Sequence, residues 1–258
     1  MPTPLEILLD PVSIGVLVLY ALMMLWEALA PARELPVIKG WRVRAMASFV
    51  VYFFLSSYLP LLWDGYLVQY QLFDLSSLGA VAGALVGLLV YNALLYAWHR
   101  SMHANNVLWR LFHQGHHSAE RLDTFGAFYF SPLDMIGFTF VGSLALALIV
   151  GISPQAITVF LFAAMFLGIF QHANVKTPRW LGFLIQRPES HSVHHERGVH
   201  RYNYADLPLF DIAFGTFRNP KHYAAETGFY DGASARVAEM LVFRDVSQPD
   251  ASTGEVTA

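Results

Sequence analysis

Five apolar stretches, each close to the length needed to cross a bilayer, restrict the folds open to this chain: Val12 to Ala30, Ala45 to Trp63, Leu78 to Trp98, Leu133 to Val150 and Pro154 to Gln171. A hydrocarbon core of about 30 Å takes roughly 20 residues of helix. With 55% hydrophobic residues and a mean hydropathy of +0.43, the expected fold is an all-α integral membrane protein with four to five transmembrane helices. The last two stretches are short and joined at Gly151 to Ser153, so a re-entrant hairpin is the alternative to two full spans. Only Glu6 and Asp10 are charged before the first stretch. Without a basic leader, and at that length, it is expected to be a retained helix rather than a cleaved signal peptide.

The basic residues are distributed on one side of this pattern. Arg33, Lys39, Arg42 and Arg44 lie between spans one and two, and Arg100, Arg110 and Arg121 between three and four. All remaining Lys and Arg follow span five. Retained basic loops mark the cytoplasmic side, which predicts an external N-terminus and a cytoplasmic C-terminus, with a bacterial inner membrane favoured over the endoplasmic reticulum. The chain has no cysteine, which excludes a cysteine-ligated iron–sulfur cluster within it. A net charge of −3 and no basic patch with interleaved aromatics give nucleic-acid binding no support.

Between and beyond the spans the chain divides simply. Gly79, Gly83 and Gly87 form a small-residue stripe suited to close helix approach. Ser118 to Pro132 is expected to be an interfacial amphipathic helix. Past Lys176 the composition turns polar, and residues 247–258 are apolar-poor, as expected of a disordered tail. Residues 1–246 are therefore expected to form one membrane-embedded domain.

Ten of the eleven histidines fall in two clusters and one site between them. The first cluster reads His99-Arg-Ser-Met-His103 and then His113-Gln-Gly-His116-His117; the second reads His191-Ser-Val-His194-His195 with His200 close behind. Imidazole is the commonest protein metal ligand, and eight or more exceed what one ion can use, so a dinuclear centre is expected. Residues at i and i+4 share a helix face, while adjacent residues diverge by about 100°. Adjacent histidines can thus reach different ions. His172, ending span five, is added as a ligand because polar residues at the edge of membrane helices tend to be functional. The expected ligands are His99, His103, His113, His116, His117, His172, His191, His194 and His195; spacing decides nothing for His200, and His222 is expected to be an interfacial bystander. A zinc-protease reading fails because His195 and His200 are five apart, which on a helix points them about 140° from one another. A haem carrier needs only one or two axial ligands and would leave most of the histidines idle.

The order HxxxH, HxxHH, HxxHH on such a chain resembles the fatty acid hydroxylase/sterol desaturase superfamily of membrane di-iron oxygenases. The resemblance runs from about Tyr91 to Pro220 and includes Gln171-His172-Ala173-Asn174, Asn203-Tyr204 and Phe210-Asp211 through Gly215-Thr216-Phe217. Where many members carry a histidine entering the fourth span, this chain has Ser131-Pro132-Leu133-Asp134. The resemblance implies a cytoplasmic, histidine-rich helical cap holding two iron ions, which hydroxylate or desaturate a lipid such as a sterol or fatty acyl chain using O2. It also implies a separate electron donor, a ferredoxin, cytochrome b5 or reductase. Zinc is expected in some purified samples, since it binds such ligands more tightly than ferrous iron. Glu120, Asp123, Glu189, Glu196 and Asp206 are expected to include the carboxylates that orient the imidazoles. Phe125, Phe128, Tyr129, Phe130, Phe162 and Phe166 are expected to line the substrate channel. The rival reading is a non-enzymatic membrane metal-binding or transport protein, which would string its ligands along the spans rather than gather them at one face.

Overall fold

The computed structural model describes residues 1–249; residues 250–258 of the expected tail lie outside the described residues. Short polar caps set the helix starts. In α1 (Pro4–Leu9) Thr3 and Glu6 form a capping box, and α2 (Pro11–Leu29) is capped by Asp10, which accepts from the amides of Val12 and Ser13. Then come α3 (Trp41–Leu67), which a tight turn carries on to Tyr70, and α4 (Ala80–Ala104). A helical run follows at the end of α4: α5 (Asn106–Leu108), a π-turn at Trp109–His113 and α6 (Gln114–His117). Ser131 and Pro132 start α7 (Pro132–Ser143), which relaxes into a π-turn at Leu144–Ile149. Ser153 and Pro154 start α8 (Pro154–Phe170). Beyond it lie α9 (Pro188–His194) and α10 (Leu209–Ala213).

Among the described residues four helices are long and apolar enough to cross a membrane: Pro11–Leu29, Trp41–Tyr70, Ala80–Ala104 and Pro132–Ile149. Their outward faces carry exposed Leu22, Leu25, Leu61, Leu62, Val81 and Leu85, as lipid-facing surfaces do. The shorter Pro154–Phe170 packs along α4 and α2 and leaves Val159 and Leu161 exposed. The turn between α7 and α8 reaches as far as the α3–α4 connection, because Phe73–Asp74 pairs with Val150–Gly151 as two short parallel strands. The hairpin of α7 and α8 thus reaches the level of the α3–α4 connection.

The glycine stripe divides by role. A Cβ on Gly83 would stand 2.9 Å from the Ala156 Cβ, and one on Gly87 3.1 Å from Ile152 and Leu146 side-chain atoms, so both let α4 approach its neighbours. Gly79 instead caps α4 at φ 74°. One expectation fails: Ser118 to Pro132 is no interfacial helix. It forms a tight turn at Thr124–Phe128 whose Thr124, Gly126, Ala127 and Phe128 are buried. Polar anchors pull it inward, since the Glu27 carboxylate accepts from the Thr124 amide and hydroxyl and Asp123 accepts from Trp41 Nε1.

Candidate metal centre

All nine expected histidines meet at one end of the bundle. They form two groups, each with one nitrogen per ring and all such atoms within 4.8 Å of one another: His99, His103, His113, His117 and His194, and His116, His172, His191 and His195. The adjacent pairs His116/His117 and His194/His195 split between the groups, as their helical divergence requires. Pairs at i and i+4 stay together: His99 with His103, His113 with His117, and His191 with His195. The π-turn ends at His113, where an i→i+5 bond widens the helix; such bulges are frequent at functional sites. All nine rings are buried except His103, which is half-buried. His222 is exposed and lies in neither group.

Proton bookkeeping shows what the rings can accept. The Nδ1 atoms of His99, His103 and His194 donate to the carbonyl oxygens of Tyr204, His200 and Tyr202 at 2.8, 2.8 and 2.7 Å. His113 Nδ1 bonds the Asp134 carboxylate at 2.8 Å, and His172 Nδ1 donates to the Gly168 carbonyl at 2.7 Å. A neutral imidazole has one N–H, so in these rings Nε2 is a bare lone pair. Yet His99 Nε2 stands 2.8 Å from His113 Nε2, two lone pairs facing each other. The His172 Nε2 lone pair stands 3.1 and 3.0 Å from the Nε2 atoms of His116 and His191, whose own Nδ1 atoms bond no carbonyl or carboxylate among the described residues. A shared cation turns that repulsion into attraction, and adjacent ligands bound at about 2.0–2.1 Å to one ion sit about 3 Å apart.

Burial, then the neighbouring imidazoles, hold His113, His116, His117, His191, His194 and His195 well below the ordinary histidine value. Burial pushes His172 and His200 down to about 4. Neutral rings are the form that binds a metal. The donor set therefore fits two transition-metal ions.

The imidazoles are oriented by groups that the sequence reading did not identify. A single loop supplies three alternate carbonyls, from residues 200, 202 and 204, and His200, Tyr202 and Asn203 take positive φ values of 42°, 75° and 52° to do so. Non-glycine residues rarely adopt this conformation and need support. Asp211 gives it by accepting from the amides of Tyr204 and Ala205, and Asn203 by bonding the Ser190 carbonyl and the Arg218 amide. His200 contributes its carbonyl to His103 and its own Nδ1 to His117 Nδ1 at 3.1 Å, an outer position. Asp134, in the first turn of α7, is the carboxylate that reaches a ring. The five expected carboxylates bond elsewhere: Glu120 to the Ser234 amide, Asp123 to Trp41, Glu189 to Thr177 and Arg187, and Asp206 to Gln171, while Glu196 sits at a bridge to Thr227. The signal that would have singled out Asp134 is an acid inside an apolar span.

A cavity of about 600 Å³ runs from this centre through the bundle, touching His99, His113, His116, His172 and His191 at one end and Asp64, Val68 and Gln71 at the other. Phe49, Phe53, Phe128, Phe130, Phe138 and Phe160 line it. Of the six aromatics expected there, only Phe128 and Phe130 do so. Tyr129 packs on Trp41, Phe125 lies under Arg42, Phe162 fills the space beside Gly15 and Phe166 stacks on Phe170.

Residues 84–216, just over half of the chain, match the fatty acid hydroxylase family. The chain belongs to this family. It is 31% identical over 134 residues to a very-long-chain aldehyde decarbonylase of Oryza sativa subsp. indica, covering 50% of each chain. It is 27% identical over 150 residues to a sphingolipid C4-hydroxylase of Schizosaccharomyces pombe, covering 57% of this chain and 50% of that one. An ornithine lipid hydroxylase of Rhizobium tropici is 31% identical over 139 residues, 52% of this chain and 41% of the other. The chain spans about half the length of the curated relatives it matches. No solved structure matches it.

Proposed function

We propose that this family member is an integral-membrane lipid hydroxylase with two iron ions, one held by His99, His103, His113, His117 and His194 and the other by His116, His172, His191 and His195. The observation that carries the reading is the pair of facing Nε2 lone pairs of His99 and His113, with the gathered Nε2 atoms of His116, His172 and His191 beside them, at the end of an apolar cavity. What two iron ions supply when bound is the activation of O2 toward an unactivated C–H bond. One oxygen atom enters the lipid and the other leaves as water, with two electrons and two protons from outside. The electrons come from a separate ferredoxin, cytochrome b5 or reductase. This chain's own residues hold the rings, exclude water with the phenylalanine lining and admit a lipid chain from the bilayer. Hydroxylation is preferred to desaturation because two of the three relatives described are named as hydroxylases. The proposed orientation has the histidine end in the cytoplasm and the N-terminus outside, in a bacterial inner membrane, and the one-sided distribution of basic residues supports it.

The test compares lipid extracts from cells with the intact chain and with a His99→Ala, His195→Ala double variant. The intact chain yields a lipid heavier by one oxygen atom that the variant does not. An identical lipid profile overturns the proposal, and a product lacking two hydrogens replaces hydroxylation with desaturation.

A further inference from the structure

The loop of residues 200–204 reaches the surface as well as the histidines. Its Tyr202 ring is half-buried, and two guanidinium groups gather on it, that of Arg218 at 4.1 Å and that of Arg201 at 5.0 Å from the ring centroid. Both arginines are exposed. Folding brings them together: Asn203 Oδ1 accepts from the Arg218 amide at 2.7 Å and the Asn203 amide donates to the Thr216 carbonyl at 3.1 Å, which lays residues 216–218 along the loop. Arg100, exposed near the end of α4, is a third cation of this region, where its charge acts on Tyr204 and Asp211.

Among the described residues none of these three arginines forms an ion pair. Their side-chain hydrogen bonds go to neutral oxygens, from Arg100 to the Tyr96 hydroxyl and from Arg218 to the Phe217 carbonyl. Arg197, by contrast, pairs with Glu226 and Asp231, and the nearby Asp211 carboxylate is buried and occupied by the amides of Tyr204 and Ala205. In a chain of net charge −3, three uncompensated guanidiniums around one loop set a local positive field, which steers an acidic partner. Arginine and tyrosine are also the side chains that most often carry affinity at protein interfaces. The loop itself says what such a partner does here. The Tyr202 carbonyl accepts from His194 Nδ1 at 2.7 Å and the His200 carbonyl from His103 Nδ1 at 2.8 Å. The residues on either side of Arg201 are thus bonded to two of the five histidines of the first group.

We infer that Arg100, Arg201 and Arg218 form the docking surface for the protein that delivers electrons, a small one-electron carrier with an acidic face, and that electrons enter at the first histidine group by way of the Tyr202–His194 and His200–His103 hydrogen bonds. The inference rests on the reading of this centre as an oxygenase supplied with electrons from outside. At each docking the carrier is oxidised by one electron and the histidine-held centre reduced by one, so two dockings supply the pair that one oxygenation takes. Redox partners meet over small areas and part again, and a few exposed charges that quicken encounter suit that task. A lipid phosphate is served equally by an exposed cation such as Lys39 on the α2–α3 connection; the arginine patch differs in resting on the loop that orients His103 and His194.

The test measures binding of an oxidised plant-type ferredoxin, an acidic one-electron carrier, to the purified, iron-loaded full chain in a neutral detergent, with a basic c-type cytochrome as the charge control. The wild type is expected to bind ferredoxin, more weakly as salt rises, and not to bind the cytochrome. Arg201→Gln combined with Arg218→Gln is expected to weaken ferredoxin binding about 10-fold or more while iron content stays at the wild-type level. Arg201→Lys with Arg218→Lys is expected to keep most of the affinity, and Lys39→Gln all of it. Ferredoxin binding that is absent from the wild type, insensitive to salt, or equal in the glutamine double variant overturns the docking surface. A glutamine double variant that binds ferredoxin as the wild type does but no longer takes up phosphatidylglycerol added to the detergent also overturns it, and assigns the arginines to lipid. A wild type that oxygenates lipid after chemical reduction, yet binds ferredoxin no better than the double variant, refutes the surface alone; one that binds ferredoxin as expected but oxygenates no lipid after chemical reduction supports the surface and refutes the hydroxylase reading.

Discussion

Replacing Asp134 probes the one carboxylate that bonds a histidine among the described residues. Its Oδ2 accepts from His113 Nδ1 at 2.8 Å, with both side chains at most 1% exposed, and this bond keeps the His113 Nε2 lone pair free for the first group of five. Asp134→Leu leaves a buried N–H unpartnered, a cost of about 1–3 kcal/mol. It also lets the ring rotate or switch tautomer. Losses of this kind lower metal affinity by about 10- to 100-fold. Asp134→Asn retains an amide oxygen as acceptor and loses the charge, so it falls between wild type and leucine. The assay is chelator competition on purified protein, following release of each ion. The expected result is earlier release of one ion, since no ring of the second group touches Asp134. Wild-type release of both ions from Asp134→Leu refutes the reasoning.

His172→Ala is expected to lose the ion of the second group and the activity, whereas His222→Ala keeps both; metal analysis of the two variants in parallel checks this, and equal behaviour removes His172 from the ligand set. The metal-free protein is expected to lose stability in acid. An imidazole titrates near 6.5 when unfolded, while His172 and His200 are depressed to about 4 when folded. Their contribution is therefore complete above about pH 6.5 and is lost as pH falls toward 4, which thermal unfolding of the stripped protein across that range measures. For the orientation, a reporter fused after Ala258 is expected to be active only as a cytoplasmic enzyme; activity restricted to the outer side reverses the topology.

Much of the site could be read before folding because its information is local. Hydropathy found the spans to within a few residues, though α4 runs on to Ala104 and α3 begins at Trp41. Helical geometry alone separates His116 from His117 and His194 from His195. The rest depends on contacts distant in sequence. The carbonyls of residues 200, 202 and 204 carry no side-chain signature, since every residue has one. Glu189 and Asp123 are among the acids expected to hold an imidazole and Asp134 is not, and only the folded chain gives the first two to Thr177 and Trp41 and brings Asp134 to His113. The turn at Thr124–Phe128 has the amphipathic composition of an interfacial helix, but the buried Glu27 carboxylate accepts from the Thr124 amide and hydroxyl and draws it inside. Channel lining depends on which helix faces meet, so aromatic content alone selected two correct positions of six.

The central claim is that the two histidine groups carry metal ions which place an atom of O2 on a lipid. Its most direct test is turnover under isotopically heavy dioxygen by the iron-loaded protein with an electron donor, with the lipid product analysed by mass spectrometry. Heavy oxygen is expected in the product, with none when label is supplied only as water and none from the His99→Ala, His195→Ala double variant. Label from water, or labelled product from the double variant, contradicts the claim.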